Sequence, residues 1–180
     1  MATTLKITEG APSAYPSIAT GLASPTTAFL AAVWQRMESF IGWRWGSRSC
    51  TFIVEGPGAW TSPLQPVTAV ASVEFWNTSD AWEAVTPRSD PLGGYCFDSG
   101  VYRLAATIGD TATPPGAVQE AFRRLANFLA ENDGSEAALL KTDIEGLGSI
   151  EFTPQQLAPR SIQYSGAGDL LRPWRNLGAS

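Results

Sequence analysis

Apolar residues between Thr113 and Gly134, TPPGAVQEAFRRLANFLAENDG, follow a helical rhythm. Val118, Phe122, Leu125 and Leu129 recur at steps of four, three and four, which places them on one face. Pro114 and Pro115 can start a helix but cannot lie inside one. Glu120 falls in the first turn, where the helix dipole favours an anion, and Gly134 suits a left-handed cap. The opposite face carries Gln119, Arg123, Asn127 and Glu131. A helix this one-sided needs a partner, and the chain offers one. Ser24-Pro25 is a hydroxyl cap followed by proline, and the helix it opens runs to about Ile41 and stops at Gly42. Phe29, Val33, Met37 and Ile41 form its stripe, widened by Ala32, Trp34 and Phe40. Arg36 and Glu38 lie off that stripe.

Between the two helices the period changes. Cys50-Thr-Phe-Ile-Val54 is rich in strand formers, and Glu55-Gly-Pro-Gly58 ends it. Val67, Ala69, Ala71, Val73 and Phe75 alternate with the residues between them as a strand does. Asn77-Thr-Ser-Asp80 is a turn cluster, with Trp82–Val85 as a short return strand. Tyr95–Phe97 and Val101–Ala105 flank Asp98-Ser-Gly100, which reads as a hairpin turn. The expected class is therefore α+β: two packed amphipathic helices with a small antiparallel sheet inserted between them. Residues 1–23, small and polar with Pro12 and Pro16, read as an extended N-terminal segment with one short element around Tyr15–Ile18. Residues 24–134 make the body. Residues 135–180 read as an extended C-terminal arm, because so long a weakly periodic stretch is rare within a compact domain. Within it Glu136–Lys141 suggests one helical turn, Ile150–Phe152 has strand character, and Asp169–Arg175 is an apolar and basic cluster.

Composition narrows the function. The 180 residues suffice for one domain with a real core. A net charge of -5 opposes a nucleic-acid reader, which carries a basic face, yet suits a surface that DNA slides past. The chain has no histidine, which removes Ser-His-Asp and Cys-His catalysis and His-ligated metals. The sequence suggests no cofactor, metal ion or catalytic residue. No apolar run approaches a membrane span, and MATTLKITEG lacks the charged head and apolar block of a signal peptide. Cys50 and Cys96 are too few for a disulfide framework. They read as reduced, packed thiols, with a single strand-to-strand disulfide as the alternative.

Four groups of residues could carry chemistry or binding. Trp43, Trp45, Trp60, Trp76 and Trp82 fall in or beside the strand region. They either fill the core or present rings to sugars, as in a carbohydrate-binding module. Glu74 and Glu83 could face each other across a hairpin as a glycosidase pair does, or simply form a polar strand face. Arg36 and Glu38 are either surface charges or partners of neighbouring copies and of Arg123 or Arg124. The terminal Leu170-Leu171-Arg172-Pro173-Trp174-Arg175 either folds back on its own domain or inserts into a partner. Trp and Arg are the residues most enriched at interface hot spots, and Pro173 lowers the ordering cost of binding.

In order and spacing these pieces resemble the head–tail connector, or adaptor, proteins of long-tailed phages and phage-like gene transfer agents. The likeness is carried by Arg36-x-Glu38-x-Phe40-x-Gly42-x-Arg44 at the end of the first helix. It continues in Leu64-Gln-Pro66-Val67-x-x-Val70-x-Ser72-Val73, followed by Trp82. Pro115, Ala121, Leu125 and Ala126 on the second helix and Gly166-Ala167-x-x-Leu170-Leu171-Arg172-Pro173-Trp174-Arg175 complete it. The family's usual Pro-Val opening and leading charged helix are replaced here by residues 1–23. The resemblance implies a structural, non-catalytic protein at the head–tail interface of a virion or phage-like particle, assembled in the host cytoplasm. It implies a twelve-fold homo-oligomeric ring that binds the portal protein, receives a tail-side completion (stopper) protein and lets double-stranded DNA pass without specific contact. On that resemblance portal binding falls to Leu170, Leu171, Arg172, Pro173, Trp174 and Arg175. Arg36, Glu38, Arg123 and Arg124 are the candidates for the oligomer interface.

Overall fold

A computed structural model describes residues 1–91, 93–132, 140–144, 148–152 and 160–175. The chain forms two compact units. One combines Met1–Pro16 with Gly42–Ala112. The other combines Ser17–Ile41 with the chain from Thr113 to Arg175.

The first unit is a six-stranded antiparallel sheet. Its strands are β1 (Thr3–Glu9), β2 (Arg48–Trp60), β3 (Val67–Trp76), β4 (Trp82–Ala84), β5 (Arg88–Ser89) and β6 (Tyr95–Ile108). The order across the sheet is β1-β2-β6-β3-β4, and β5 also pairs with β6. The strand period of two puts alternate residues on one face. Cys50, Phe52 and Val54 of β2 stand opposite Ala106, Leu104 and Tyr102 of β6. Val73 and Phe75 of β3 stand opposite the same Leu104 and Tyr102. These rows form the core of the unit, joined by Trp60, Leu64, Phe97 and Ile108. Phe97 packs on Tyr102 with ring centroids 4.4 Å apart, and Phe52 meets Trp60 edge-on at 5.4 Å.

This sheet overturns the expectation of a small insert between two helices. Strands β2 and β6 run for 13 and 14 residues, and the sheet, not a helix pair, dominates the architecture. The reason lies in two stretches that read as terminators. Gly56-Pro57-Gly58 does not end β2, and Asp98-Ser99-Gly100 is not a hairpin turn. Gly56 lies directly opposite Gly100, and the register shifts by a bulge between Gly56 and Gly58. A Cβ on Gly56 would collide with the Asp98 carbonyl oxygen, and one on Gly100 (φ 133°) with the Phe75 ring. Each glycine stretch lets the other strand approach, so the paired strands bend there and continue. The N-terminal segment also holds more than expected. Thr3–Glu9 pairs with β2 as an edge strand, while Tyr15–Ile18 contains no helix or strand.

The second unit contains α1 (Thr27–Ile41) and α2 (Gly116–Asn132). Thr26, rather than Ser24, caps α1: its hydroxyl accepts the Phe29 N–H at 3.2 Å, the usual bond of a threonine N-cap. Gly42, with φ 76°, ends the helix. The buried face of α2 is Val118, Ala121, Phe122, Leu125 and Ala126. It packs on α1, whose buried residues include Val33, Trp34, Met37 and Ile41, with the Trp34 and Phe122 rings 4.7 Å apart.

Within the expected arm, β7 (Leu140–Ile144) and β8 (Gly148–Phe152) form a two-stranded hairpin. Two short helices follow, α3 (Ser161–Tyr164) and α4 (Ala167–Leu171), then a 3-10 turn over Arg172–Trp174. Leu140 and Lys141 are strand, not helix. The rest of the expected turn, Glu136–Leu139, and the cap at Gly134 lie outside the described residues. No helix among the described residues is long and apolar enough to cross a membrane.

Candidate functional site

The Arg36-to-Arg44 series places one residue of each kind at a distinct junction. Arg36 sits on the last turns of α1, and its guanidinium donates to the Ser161 hydroxyl at 3.0 Å. Glu38 is 2% exposed; the expectation that it lies off the buried stripe is therefore corrected. Over about two helical turns, Val33, Trp34, Met37, Glu38 and Ile41 are all inside, a wider arc than the four-residue stripe. Phe40 lies under the Arg175 guanidinium, 4.9 Å from its ring centroid, within cation–π range. Gly42 turns the chain out of the helix. Arg44 lies in the other unit and makes a two-pronged pair with Glu9, at 2.8 and 2.9 Å.

That last pair belongs to a cluster that the sequence reading missed. Glu9 ends β1. Arg44 and Arg48 converge on its carboxylate, Arg48 at 3.6 Å. Arg48 also donates to the carbonyls of Trp45 and Gly46 and lies over the Tyr15 ring at 5.6 Å. The hydrogen bond from Arg44 holds Glu9 below its usual pKa, although burial opposes this. The only sequence signal was an isolated Glu in a polar segment, because its partners lie far along the chain.

The terminal cluster is divided by the fold. Leu171 is fully buried and Leu170 half-buried, in the segment that packs on α2. Arg172, Pro173 and Arg175 are exposed, and Trp174 is half-buried. The segment thus both folds back on its own unit and presents a basic, proline-stiffened rim. Arg123 and Arg124 project from the exposed side of α2. Both pair with Glu120, Arg124 at 2.9 Å, and Arg123 also donates to the Ala19 carbonyl at 3.4 Å. Arg36 and Arg175 thus meet partners at the end of α1 and in the terminal segment, while Arg123 and Arg124 share Glu120 on the exposed side of α2.

The two carboxylates do not form a pair. Glu74 stands opposite Ala84 and Glu83 opposite Phe75. The one-residue offset sends them to opposite faces. Glu74 is tied to Arg103 at 2.6 Å, which holds its pKa down. Arg103 in turn stacks over Trp82, 4.6 Å from the ring centroid.

The tryptophans do not form a platform either. Trp45 and Trp60 are buried. Trp76 and Trp82 meet at 63°, an edge contact rather than the coplanar row that stacks on sugar rings. Cys50 and Cys96 are both free thiols, and burial pushes Cys50 up to about 12.

No protein-family model matches the chain, and no curated protein matches it. Comparison with solved structures finds likenesses to chains of gene transfer agent particles. A chain from the virion of a native gene transfer agent (GTA) particle superposes with a TM-score of 0.52 at 16% identity, over 83% of this chain and 76% of that one. A chain from the neck of a native GTA particle, computed with C12 symmetry, gives 0.49 at 18%, over 74% and 79%. A chain from the neck of an empty GTA particle, computed with C6 symmetry, gives 0.49 at 19%, over 74% and 75%. The virion chain, with its TM-score of 0.52, has the same fold.

Proposed function

We propose that this protein is a structural head–tail adaptor: a ring subunit that sits under a portal, continues the DNA channel and joins head to tail. One observation carries the reading. The fold is shared, over most of both chains, with a component of a gene transfer agent virion. The motif residues add support. Arg36, Phe40, Gly42 and Arg44 each occupy a structural junction, as expected of residues that define a family's fold.

In this reading Leu171 anchors the terminal segment while Arg172, Pro173, Trp174 and Arg175 form the surface offered to the portal. Arg123 and Arg124, exposed charges of α2, face a ring neighbour. Arg36 and Glu38 act in the same interface indirectly, by holding the end of α1. The acidic balance of the chain suits a channel through which DNA passes without sticking.

The test is attachment. Rings of the portal protein from the same particle are mixed with the full chain and with a chain carrying Arg172→Ala, Trp174→Ala and Arg175→Ala. The full chain is expected to sediment with the portal, and the variant to stay behind while keeping its circular dichroism spectrum. Equal binding by both would remove the terminal assignment. No binding by the full chain would remove the adaptor reading. The carbohydrate-binding alternative is disfavoured by the buried or edge-packed tryptophans.

A further inference from the structure

We propose that Met1–Tyr15 is an exchangeable arm, and that in the assembled particle it lies along β2 of a second copy of this chain. The proposal deepens the ring reading and rests on it for the identity of that copy as a ring neighbour.

Four observations lead there. First, β1 is a terminal edge strand with one partner, β2. Its central residues are exposed, including Leu5 at 55% and Ile7 at 38%. Second, the named anchors of the segment all lie within Gly42–Ala112. The Ala2 N–H donates to the Ala59 carbonyl at 3.1 Å. The Trp60 indole donates to the Thr4 hydroxyl at 2.8 Å. Glu9 takes Arg44, the Gly10 and Ser13 N–H groups donate to the Ser49 and Ser47 carbonyls, and Arg48 covers Tyr15. Another copy's Gly42–Ala112 would supply every one of these contacts unchanged.

Third, the chain leaves this unit directly after Pro16 and enters the other. The residues from Ser17 to Thr26 contain no helix or strand. Extended, they reach on the order of 30 Å. Fourth, that hinge holds strain. Ser24, a residue with a Cβ, has φ 56°, in the left-handed region that such residues rarely occupy. Opening the hinge releases it, and strained hinges favour exchange between copies. Exchange forfeits the intrachain tether and the linker's own contacts, the Arg123 bond to the Ala19 carbonyl among them, a loss that the high local concentration of ring neighbours offsets.

The register supplies the test, because Thr8 stands opposite Thr51. Chains carrying Thr8→Cys and chains carrying Thr51→Cys, both with Cys50→Ala and Cys96→Ser, are co-expressed and oxidised in the assembled state. Exchange predicts a disulfide-linked pair of chains, confirmed by peptide mass, that neither variant forms with itself. A doubly substituted chain that closes only within itself, with no linked pair in the mixture, overturns the proposal. If the thiol-free background fails to fold, charge exchange replaces it. Glu9→Arg and Arg44→Glu chains are then expected to assemble together and each to fail alone, and failure of the mixture counts against exchange. Electron microscopy separates the two readings. Rings without linked chains leave the adaptor standing without exchange, and linked chains without rings leave exchange without the adaptor.

Discussion

At the residue scale, the Glu9–Arg44–Arg48 cluster shows how a few charges hold a strand. The Glu9 side chain is 28% exposed and that of Arg44 11%, so the pair is partly shielded from water. Glu9→Gln removes the charge-assisted bonds and is expected to cost about 1–2 kcal/mol, allowing for solvent screening. The pH dependence follows from the lowered pKa. A carboxylate held below its ordinary value stabilises the folded state while ionised. Its contribution is complete above the ordinary value of 4.5 and fades as pH falls through that value and below. Wild type should therefore lose more of its melting temperature between neutral pH and pH 3 than Glu9→Gln does, and equal losses would refute the assignment. Gly100→Ala tests a different kind of requirement. The added methyl meets the Phe75 ring from a positive φ, and a loss of roughly 2 kcal/mol or more is expected in chemical denaturation.

Elements differ in how they obtain their stability. α2 gains little from its own sequence in isolation, and its value lies in the apolar face it packs on α1 and α4. Phe122→Ala should cost about 3–5 kcal/mol, because the ring is buried against Trp34 and the cavity cannot collapse fully. Leu171→Ala should cost about 2–4 kcal/mol, measurable as a lower denaturant midpoint. If Leu171 instead belonged to a free arm, its removal would leave the midpoint unchanged. The two long helices were legible in the sequence because their apolar period is local, lying within one segment each. The strands were legible in part. Val67–Trp76 alternates and was read, whereas the continuity of β2 and β6 was not. Gly56 and Gly100 read as breakers singly, and only their pairing across the sheet turns two breaks into one bend.

For the whole molecule the adaptor reading sets the expectations. A chain shortened to end before Arg160 should lose portal attachment in co-sedimentation. Because Ile162, Ala167 and Leu171 are buried, it should also unfold at lower denaturant, which the triple surface variant of Arg172, Trp174 and Arg175 should not do. DNA binding should be weak and fall steeply with salt in a filter or anisotropy assay. Nanomolar affinity at physiological salt would contradict a channel surface. The candidate site was half legible. The Arg36–Arg44 series and the terminal cluster stood out as motifs. Their partners, Ser161 for Arg36, Phe40 for Arg175 and Glu9 for Arg44, lie at sequence separations that no local pattern reports.

The sequence by itself determined the two long helices, α1 and α2, the apolar stripe along each, the alternating strand at Val67–Trp76, and that histidine chemistry is excluded. These follow from the identity and spacing of residues along a single stretch. Only the tertiary structure decided that the sheet dominates, that Thr3–Glu9 is its edge, that Glu74 and Glu83 point apart, and that Leu171 is core while Arg172 is surface. Each of these depends on register between distant strands or on packing between distant segments. A register set elsewhere in the sheet decides which face every alternate side chain takes.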